Sequence, residues 1–255
     1  MCTLALYFRT FDDYPLLVAA NRDEHFDRPS TPPALQNTRP KIIAGKDLRA
    51  GGTWLGVNEY GLMVGILNRR TDGPVQHPTL VRSRGLLCLN LLHKQSAAAA
   101  KQFIAAHDER YNPFTVVYAD QESAFVAHND GAKIISHALD PGLHVFSSAA
   151  TVDLQSAKAD RIYERFAGLT HDSRARANAP RRWLPALQSI LADHRLRDGS
   201  DNPSDAICVH GESSGTVSSS VIFLAHARGQ FETFYCPGAP CQNSYADSLA
   251  LPLRC

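Results

Sequence analysis

A cysteine directly after the first methionine is the residue of this sequence best suited to chemistry. Methionine aminopeptidase generally removes Met1 when the second residue is small. Cys2 would then carry both a thiol and an α-amine with a pKa of about 7.7–8.0. Such an amine can accept the thiol proton, which makes the thiol a nucleophile. The first residues therefore predict an N-terminal cysteine nucleophile, with the alternative that a small second residue serves only processing.

A second candidate is the polar cluster Asn21-Arg22-Asp23-Glu24 at the end of an apolar run. In the functional interpretation, Asp23 holds the ammonium group of Cys2 or orients its thiol. Asn21 or Arg22 would polarise a substrate carbonyl or bind a carboxylate, the arginine through its bidentate fork. The alternatives are a solvated turn and a cluster that serves fold stability alone.

Asn68 follows the run Gly65-Ile66-Leu67 and ends a predicted strand. Its side-chain amide is a donor of the kind that stabilises an oxyanion. A turn asparagine ahead of Arg69 is an equally good interpretation of the residue by itself.

The elements that must position these residues are strands. Thr3–Phe8 and Leu16–Ala20 are predicted strands, and the intervening turn makes them a hairpin. That hairpin brings the end of the second strand, and with it Asn21 and Asp23, toward Cys2.

The rest of the chain alternates hairpins and helices, which predicts an α+β protein. The stretch 29–40 is rich in proline, serine and threonine and is predicted to be a loop. Predicted strands are 50–58, 62–67, 114–118, 123–128, 133–136, 217–226 and 230–236. Predicted helices are 83–107, broken near Gln95-Ser96, 153–166 and 182–191, the last preceded by an arginine-rich loop.

Composition excludes several classes of protein. The 255 residues include 44% hydrophobic and 20% charged residues, with a net charge of +1, which is typical of a globular domain and gives no support for nucleic-acid binding. No signal peptide or membrane-spanning run is evident, so we expect a cytoplasmic protein without a membrane span, whose six cysteines stay reduced. The sequence has no CxxC or HExxH motif, so no metal site is predicted. Cys236 and Cys241 are interpreted as a strand end and its loop.

An ordered series of motifs resembles the NRDE family, also called the transport-and-Golgi-organisation family. The motifs are MCT, NRDE, GGTWLG, the turn 58–62, SRG at 83–85, YNPF at 111–114 and GTxSS at 215–219. They span nearly the whole chain, so residues 1–255 are predicted to form one domain. The resemblance implies an N-terminal-nucleophile hydrolase fold, a four-layer αββα sandwich with the first residue at the site.

A more distant resemblance is to the choloylglycine hydrolases, which include bile-salt hydrolases and penicillin V acylases. They also begin MCT and carry an Asn-x-Asp after the second strand. The resemblance implies Cys2 as nucleophile and base, Asp23 as its orienter and Asn68 as an oxyanion or substrate-amide contact. Ser148 occupies the place of their asparagine and is a candidate substrate-binding residue. This chain also departs from its relatives at Ala20 and Val217.

Two functions follow from these resemblances. The first is an N-terminal-cysteine amidohydrolase that acts on a linear C–N amide bond. The second is a non-enzymatic protein on the same fold that binds or traffics haem or an acyl ligand. Both predict a small-molecule partner. Neither requires a cofactor, and haem enters only as a ligand; the oligomeric state stays open.

Overall fold

In the part of the chain that the structure describes, strands are the main regular structure, and they form two antiparallel sheets. The computed structural model describes residues 2–69, 81–131, 133–148, 157–171, 180–196 and 200–254. The strands are β1 (Thr3–Phe11), β2 (Tyr14–His25), β3 (Ser30–Gln36), β4 (Ile42–Asp47), β5 (Leu55–Asn58), β6 (Met63–Asn68), β7 (Phe114–Ala119), β8 (Ala124–Asn129), β9 (Ile134–Leu139), β10 (Gly142–Ser147), β11 (Ser214–Ala225), β12 (Gln230–Pro237) and β13 (Leu249–Pro252). One sheet has the order β10-β1-β2-β11-β12-β13, and the other runs β3 to β9 in sequence order.

In the described ranges, four α-helices cover the outer faces of the sheets. They are α1 (Arg84–Leu92), α2 (Ala97–Ala105), α3 (Ala157–His171) and α4 (Pro180–Leu191). The first pair packs on the seven-stranded sheet and the second pair on the six-stranded sheet, while a third apolar cluster fills the space between the sheets. The layers therefore follow the predicted order helix, sheet, sheet, helix. No helix in the described ranges is long and apolar enough to cross a membrane.

The hairpin at the start of the chain is confirmed. β1 and β2 pair antiparallel, with Thr3 opposite Asn21. Side chains along β1 alternate between the two faces of the sheet: Leu4 and Leu6 lie between the sheets, whereas Ala5 and Tyr7 lie under the helices. Cys2 continues the first set and packs against the cluster between the sheets.

Most predicted elements are present with shifted ends. The predicted break near Gln95-Ser96 separates α1 from α2, because Ser96 caps α2 by accepting a hydrogen bond from the Ala99 amide. The helix predicted over 153–166 begins at Ala157 and continues to His171; its first predicted residues lie outside the described ranges, as do residues 172–179 of the arginine-rich stretch.

The predicted loop over 29–40 is wrong, because β3 lies within it. β3 is at the edge of the seven-stranded sheet and pairs only with β4. Its register shifts between Thr31 and Ala34, which carries the chain past Pro32 and Pro33. Proline is tolerated on an edge strand because one side of the strand needs no hydrogen-bond donors. The proline-rich composition of this stretch therefore predicted a loop, although an edge position allows it to form a strand.

Candidate active site

Cys2 lies at the wall of a cavity of about 310 Å³. Residues from both sheets and from the start of α1 enclose it, including Trp54 and Asn68. The charged side chains that the described ranges contribute to its lining are Arg22, Arg28, Arg82, Arg84, Glu24 and Asp47. Four arginines against two carboxylates leave an excess of two positive charges around the space that Cys2 faces.

The backbone and the thiol of Cys2 each have a partner. The Cys2 amide donates a hydrogen bond to Ser148 Oγ at 2.9 Å, and its Sγ lies 3.7 Å from the main-chain carbonyl oxygen of Asp23. Burial raises the pKa of the Cys2 thiol, and the carboxylate of Asp23 raises it further, while Arg22 opposes the change. The thiol is therefore protonated at neutral pH and needs a base before it can attack.

The polar cluster of β2 is divided between two faces of the sheet. Arg22 and Glu24 line the cavity with Cys2. The Asn21 amide instead donates to the main-chain carbonyls of Leu191 and Ile207, at 2.8 and 3.0 Å. The predicted substrate-binding side chain of Asn21 is thus placed on the helix side, where it joins the end of α4 to the segment ahead of β11.

Asp23 also uses its side chain on the helix side. Thr216 Oγ1 donates to Asp23 Oδ1 at 2.7 Å and accepts a hydrogen bond from the Val209 amide at 2.8 Å. Burial raises the pKa of the Asp23 carboxyl, although nearby Lys158 and the Thr216 hydrogen bond act to lower it. The thiol contact predicted for Asp23 is made by its main chain, while its carboxyl group is fixed by Thr216.

Arg22 is held rigidly at the cavity wall. Its guanidinium lies over the Trp54 ring, 4.3 Å from the ring centre, and donates to Ser30 Oγ at 3.0 Å. Glu24 and Asp47 lie 3.9 and 3.8 Å away. Because its charge is shared among these partners, Arg22 shapes the wall and its field is partly neutralised.

Asn68 and Ser148 have different positions relative to Cys2. Asn68 ends β6 with an exposed side chain that lines the same cavity as Cys2, and its oxyanion role stays a prediction. Ser148 is buried and bonds to the nitrogen of Cys2. It therefore contacts the candidate nucleophile, a position that its prediction as a substrate-binding residue did not include.

Sequence reasoning assigned no role to Arg84, although the SRG motif contains it. Arg84 donates to the Pro113 carbonyl oxygen at 2.9 Å. In the described ranges no carboxylate forms an ion pair with it, unlike Arg28, which pairs with Asp47. Burial lowers the pKa of Arg84, and repulsion from Arg28 lowers it further. Arg84 is thus the cavity cation with the least neutralised charge.

Two glycines allow α1 to bring Arg84 to the cavity. A Cβ on Gly52 would lie 2.1 Å from the main-chain carbon of Gly85, so a larger residue would separate the two backbones. The Thr53 amide donates to the Gly85 carbonyl oxygen at 3.0 Å across this contact. The GGTWLG and SRG motifs are therefore two sides of one backbone contact.

Comparison with known sequences identifies the family of the chain. The family model for transport and Golgi organisation 2 matches residues 1–234. The mouse transport and Golgi organization 2 homolog is 32% identical over 111 residues, or 42% of this chain and 39% of that protein. The human homolog is 30% identical over 115 residues, covering 44% and 41%. The aligned stretches thus span about two fifths of these relatives.

Comparison with solved structures identifies the fold. Penicillin V acylase from Agrobacterium tumefaciens superposes with a TM-score of 0.60 at 14% identity, over 91% of this chain and 82% of that one. A C2A mutant of conjugated bile acid hydrolase from Clostridium perfringens gives 0.58 at 11% identity, over 97% and 92%. The chain therefore belongs to the transport and Golgi organisation 2 family and has the αββα N-terminal-nucleophile hydrolase fold.

Proposed function

We propose that this chain is an N-terminal-cysteine hydrolase that cleaves a linear amide bond in a substrate with an anionic group. The observation that carries the proposal is the position of Cys2, whose thiol faces an arginine-lined cavity while its nitrogen is held by Ser148. A nucleophile and its base within one residue, beside a space for substrate, is the arrangement that such hydrolysis needs.

The chemistry begins with removal of Met1, which turns the nitrogen of Cys2 into an α-amine. This amine takes the thiol proton, and the sulfur attacks the amide carbon. As the C–N bond breaks, the proton passes from the ammonium to the leaving amine, and an acyl-thioester remains on Cys2. Water then hydrolyses the thioester, which releases the acid and returns the thiol. In the proposal, Asn68, which lines the cavity, donates a hydrogen bond to the oxyanion.

The arginines favour an anionic substrate. Arg22, Arg28 and Arg82 each have a carboxylate partner in the structure, whereas Arg84 has none in the described ranges. A guanidinium can bind a carboxylate or phosphate through two parallel hydrogen bonds. In the proposal, Arg84 binds the acidic group of the substrate and thereby places the amide carbon near Cys2.

A direct test compares two amides that differ in charge. N-decanoylglycine carries a carboxylate, and N-decanoylethanolamine of the same chain length is neutral. We expect release of amine from the glycine conjugate by the processed protein, and a loss of about 10²–10⁴-fold when an extra residue precedes Cys2, because the amine base is then absent. Cys2→Ala should abolish release. Retention of Met1 in protein from the native host would rule out the mechanism.

Substitution of Arg84 tests the substrate class separately. Arg84→Met should lower kcat/KM for N-decanoylglycine about ten- to a hundredfold, because a hydrogen bond to a charged group is lost. The kcat/KM for N-decanoylethanolamine should not change. Arg82→Met is the matched control, because Arg82 lines the same cavity but pairs with Glu109. Equal losses in the two variants would show that Arg84 has no special role.

Binding without turnover is the second candidate, and the same arginines favour it. Acidic groups of an acyl ligand or of haem would pair with Arg84, and the Cys2 thiol would be available to haem iron. This function predicts micromolar haem or fatty-acid binding with no product. A haem titration that gives the same Soret shift for Cys2→Ala and wild type would exclude Cys2 as the iron ligand.

A further inference from the structure

Four side chains with metal-binding atoms converge at a place separate from the cavity. Cys208 and His210 lie just before β11, Cys241 lies in the loop after β12, and His194 follows α4. The two sulfur atoms are 3.7 Å apart. His210 Nε2 is 3.2 Å from Cys241 Sγ and 3.7 Å from Cys208 Sγ. Ligand atoms of His194, His210 and Cys241 all lie within 4.8 Å of one another.

The three distances among Cys208 Sγ, Cys241 Sγ and His210 Nε2 are close to the edges of a zinc coordination tetrahedron. Zinc bonds of about 2.3 Å to sulfur and about 2.0–2.1 Å to nitrogen place neighbouring ligand atoms about 3.3–3.8 Å apart. A disulfide would need the sulfurs at about 2.05 Å, far closer than they are. The rings of His194 and His210 are nearly perpendicular, at 80°, with centres 5.7 Å apart. The two imidazoles thus approach the cluster from different directions.

The backbone holds the ligands in place before any ion binds. The main-chain carbonyl oxygen of Asp193 accepts hydrogen bonds from the amides of Ile207 and Cys208, at 3.2 and 2.9 Å. This pair of bonds fixes the residue before His194 against Cys208. The side chain of Asp193 is itself bound by Arg161, Arg165 and Arg195.

The loop that carries Cys241 is a closed turn. The amides of Gln242 and Asn243 both donate to the Ala239 carbonyl oxygen at 3.0 Å. On the other side, the amide of Val209, between Cys208 and His210, is held by Thr216 of β11. The segments that carry the ligands are therefore held by hydrogen bonds of their own main-chain amides.

We propose that Cys208, His210, Cys241 and His194 form a structural zinc site of two cysteines and two histidines. Thiolate and imidazole ligands suit zinc, and four protein ligands leave no open position for catalysis. Two thiol protons pass to solvent on binding, and the two thiolates balance the charge of the ion. The site ties the end of α4, the start of β11 and the loop after β12 together. It departs from the sequence-based expectation of no metal.

The test measures metal in the full chain purified without a histidine tag. We expect about one zinc ion per chain, and on cobalt substitution the visible absorption of a tetrahedral thiolate site. Cys208→Ser and Cys241→Ser should each weaken zinc binding about a hundredfold or more in competition with a chromophoric chelator. Cys88→Ala, at a buried thiol in the layer of α1, should bind zinc as wild type does.

Substitution of an exposed ligand separates loss of zinc binding from loss of folding. His194 is exposed, so His194→Asn should keep the fold by circular dichroism yet lose the cobalt spectrum typical of the full ligand set. Zinc uptake by reduced wild type no greater than by Cys208→Ser would overturn the proposal. Isolation of a Cys208–Cys241 disulfide that, once reduced, takes up no zinc would overturn it as well.

Discussion

Cys2 and Cys241 are both partly buried thiols, but their surroundings differ in kind. Cys2 has a main-chain carbonyl, a hydroxyl and an open cavity around it. Cys241 has a second sulfur and an imidazole nitrogen within 3.7 Å. A single thiol beside open space favours nucleophilic chemistry, whereas converging soft donors favour a metal. The neighbours of each thiol, more than its exposure, decide what it can do.

The largest expected difference between the two regions is in thiol reactivity. In zinc-loaded, Met1-free protein, iodoacetamide should modify Cys2 at least about a hundredfold faster than Cys241, because a neighbouring base aids Cys2 and the ion holds the other sulfur. A chelator should then speed modification of Cys241 and leave Cys2 unchanged. Peptide mass spectrometry over time measures both rates. Equal rates before chelation would remove the distinction.

Thr216 connects the two regions, so its substitution should affect both. Thr216→Val leaves the Val209 amide without its acceptor and removes the donor to Asp23. Each buried group left unpaired costs about 1–3 kcal/mol, which corresponds to a loss of about 2–4 °C in Tm per kcal/mol. Thr216→Ser keeps the hydroxyl and is the control. If calorimetry gives both variants the same Tm, the hydrogen bonds of the Thr216 hydroxyl do not contribute to stability.

The smallest expected effect is a gain in stability from Asp23→Asn. Burial raises the pKa of Asp23 in the folded protein, so its contribution is most favourable below the ordinary pKa of about 3.9 and is lost as pH rises through the raised value. Asparagine removes this loss and keeps the acceptor for Thr216. We expect Tm to rise at pH 7 and the gain to vanish near pH 4. A lower Tm at pH 7 would instead favour a purely stabilising Asp23.

The sequence was sufficient for the parts of the site that depend on local pairing. A short turn places Thr3 opposite Asn21, so the approach of Cys2 to the NRDE cluster follows from one hairpin. The hairpin did not predict which face of the sheet each side chain of that cluster would occupy. The run 16–20 is buried on both sides and is apolar throughout, so it gives no alternation from which the face of Arg22 could be predicted.

Contacts between distant segments could not be predicted from the sequence either. Arg84 reaches the cavity only because Gly52 and Gly85 meet across two layers. The two cysteines of the proposed zinc site are separated by 32 intervening residues and share no short motif, so only the pairing of β11 with β12 brings their segments together. Tertiary packing supplies what spacing alone does not.

The division of β2 between two faces changes how variants in this family should be interpreted. Arg22 and Glu24 line the cavity with Cys2, whereas the Asn21 side chain bonds to the end of α4 and the Asp23 carboxyl bonds to Thr216 of β11. Substitutions at Arg22 and Glu24 should alter the cavity first, and substitution of Asn21 should alter the seating of α4. Substitution of Asp23 should affect both sides, because its carboxylate also acts on the Cys2 thiol. Adjacent residues of β2 thus serve two sides of one sheet, and a variant should be interpreted by what its side chain contacts.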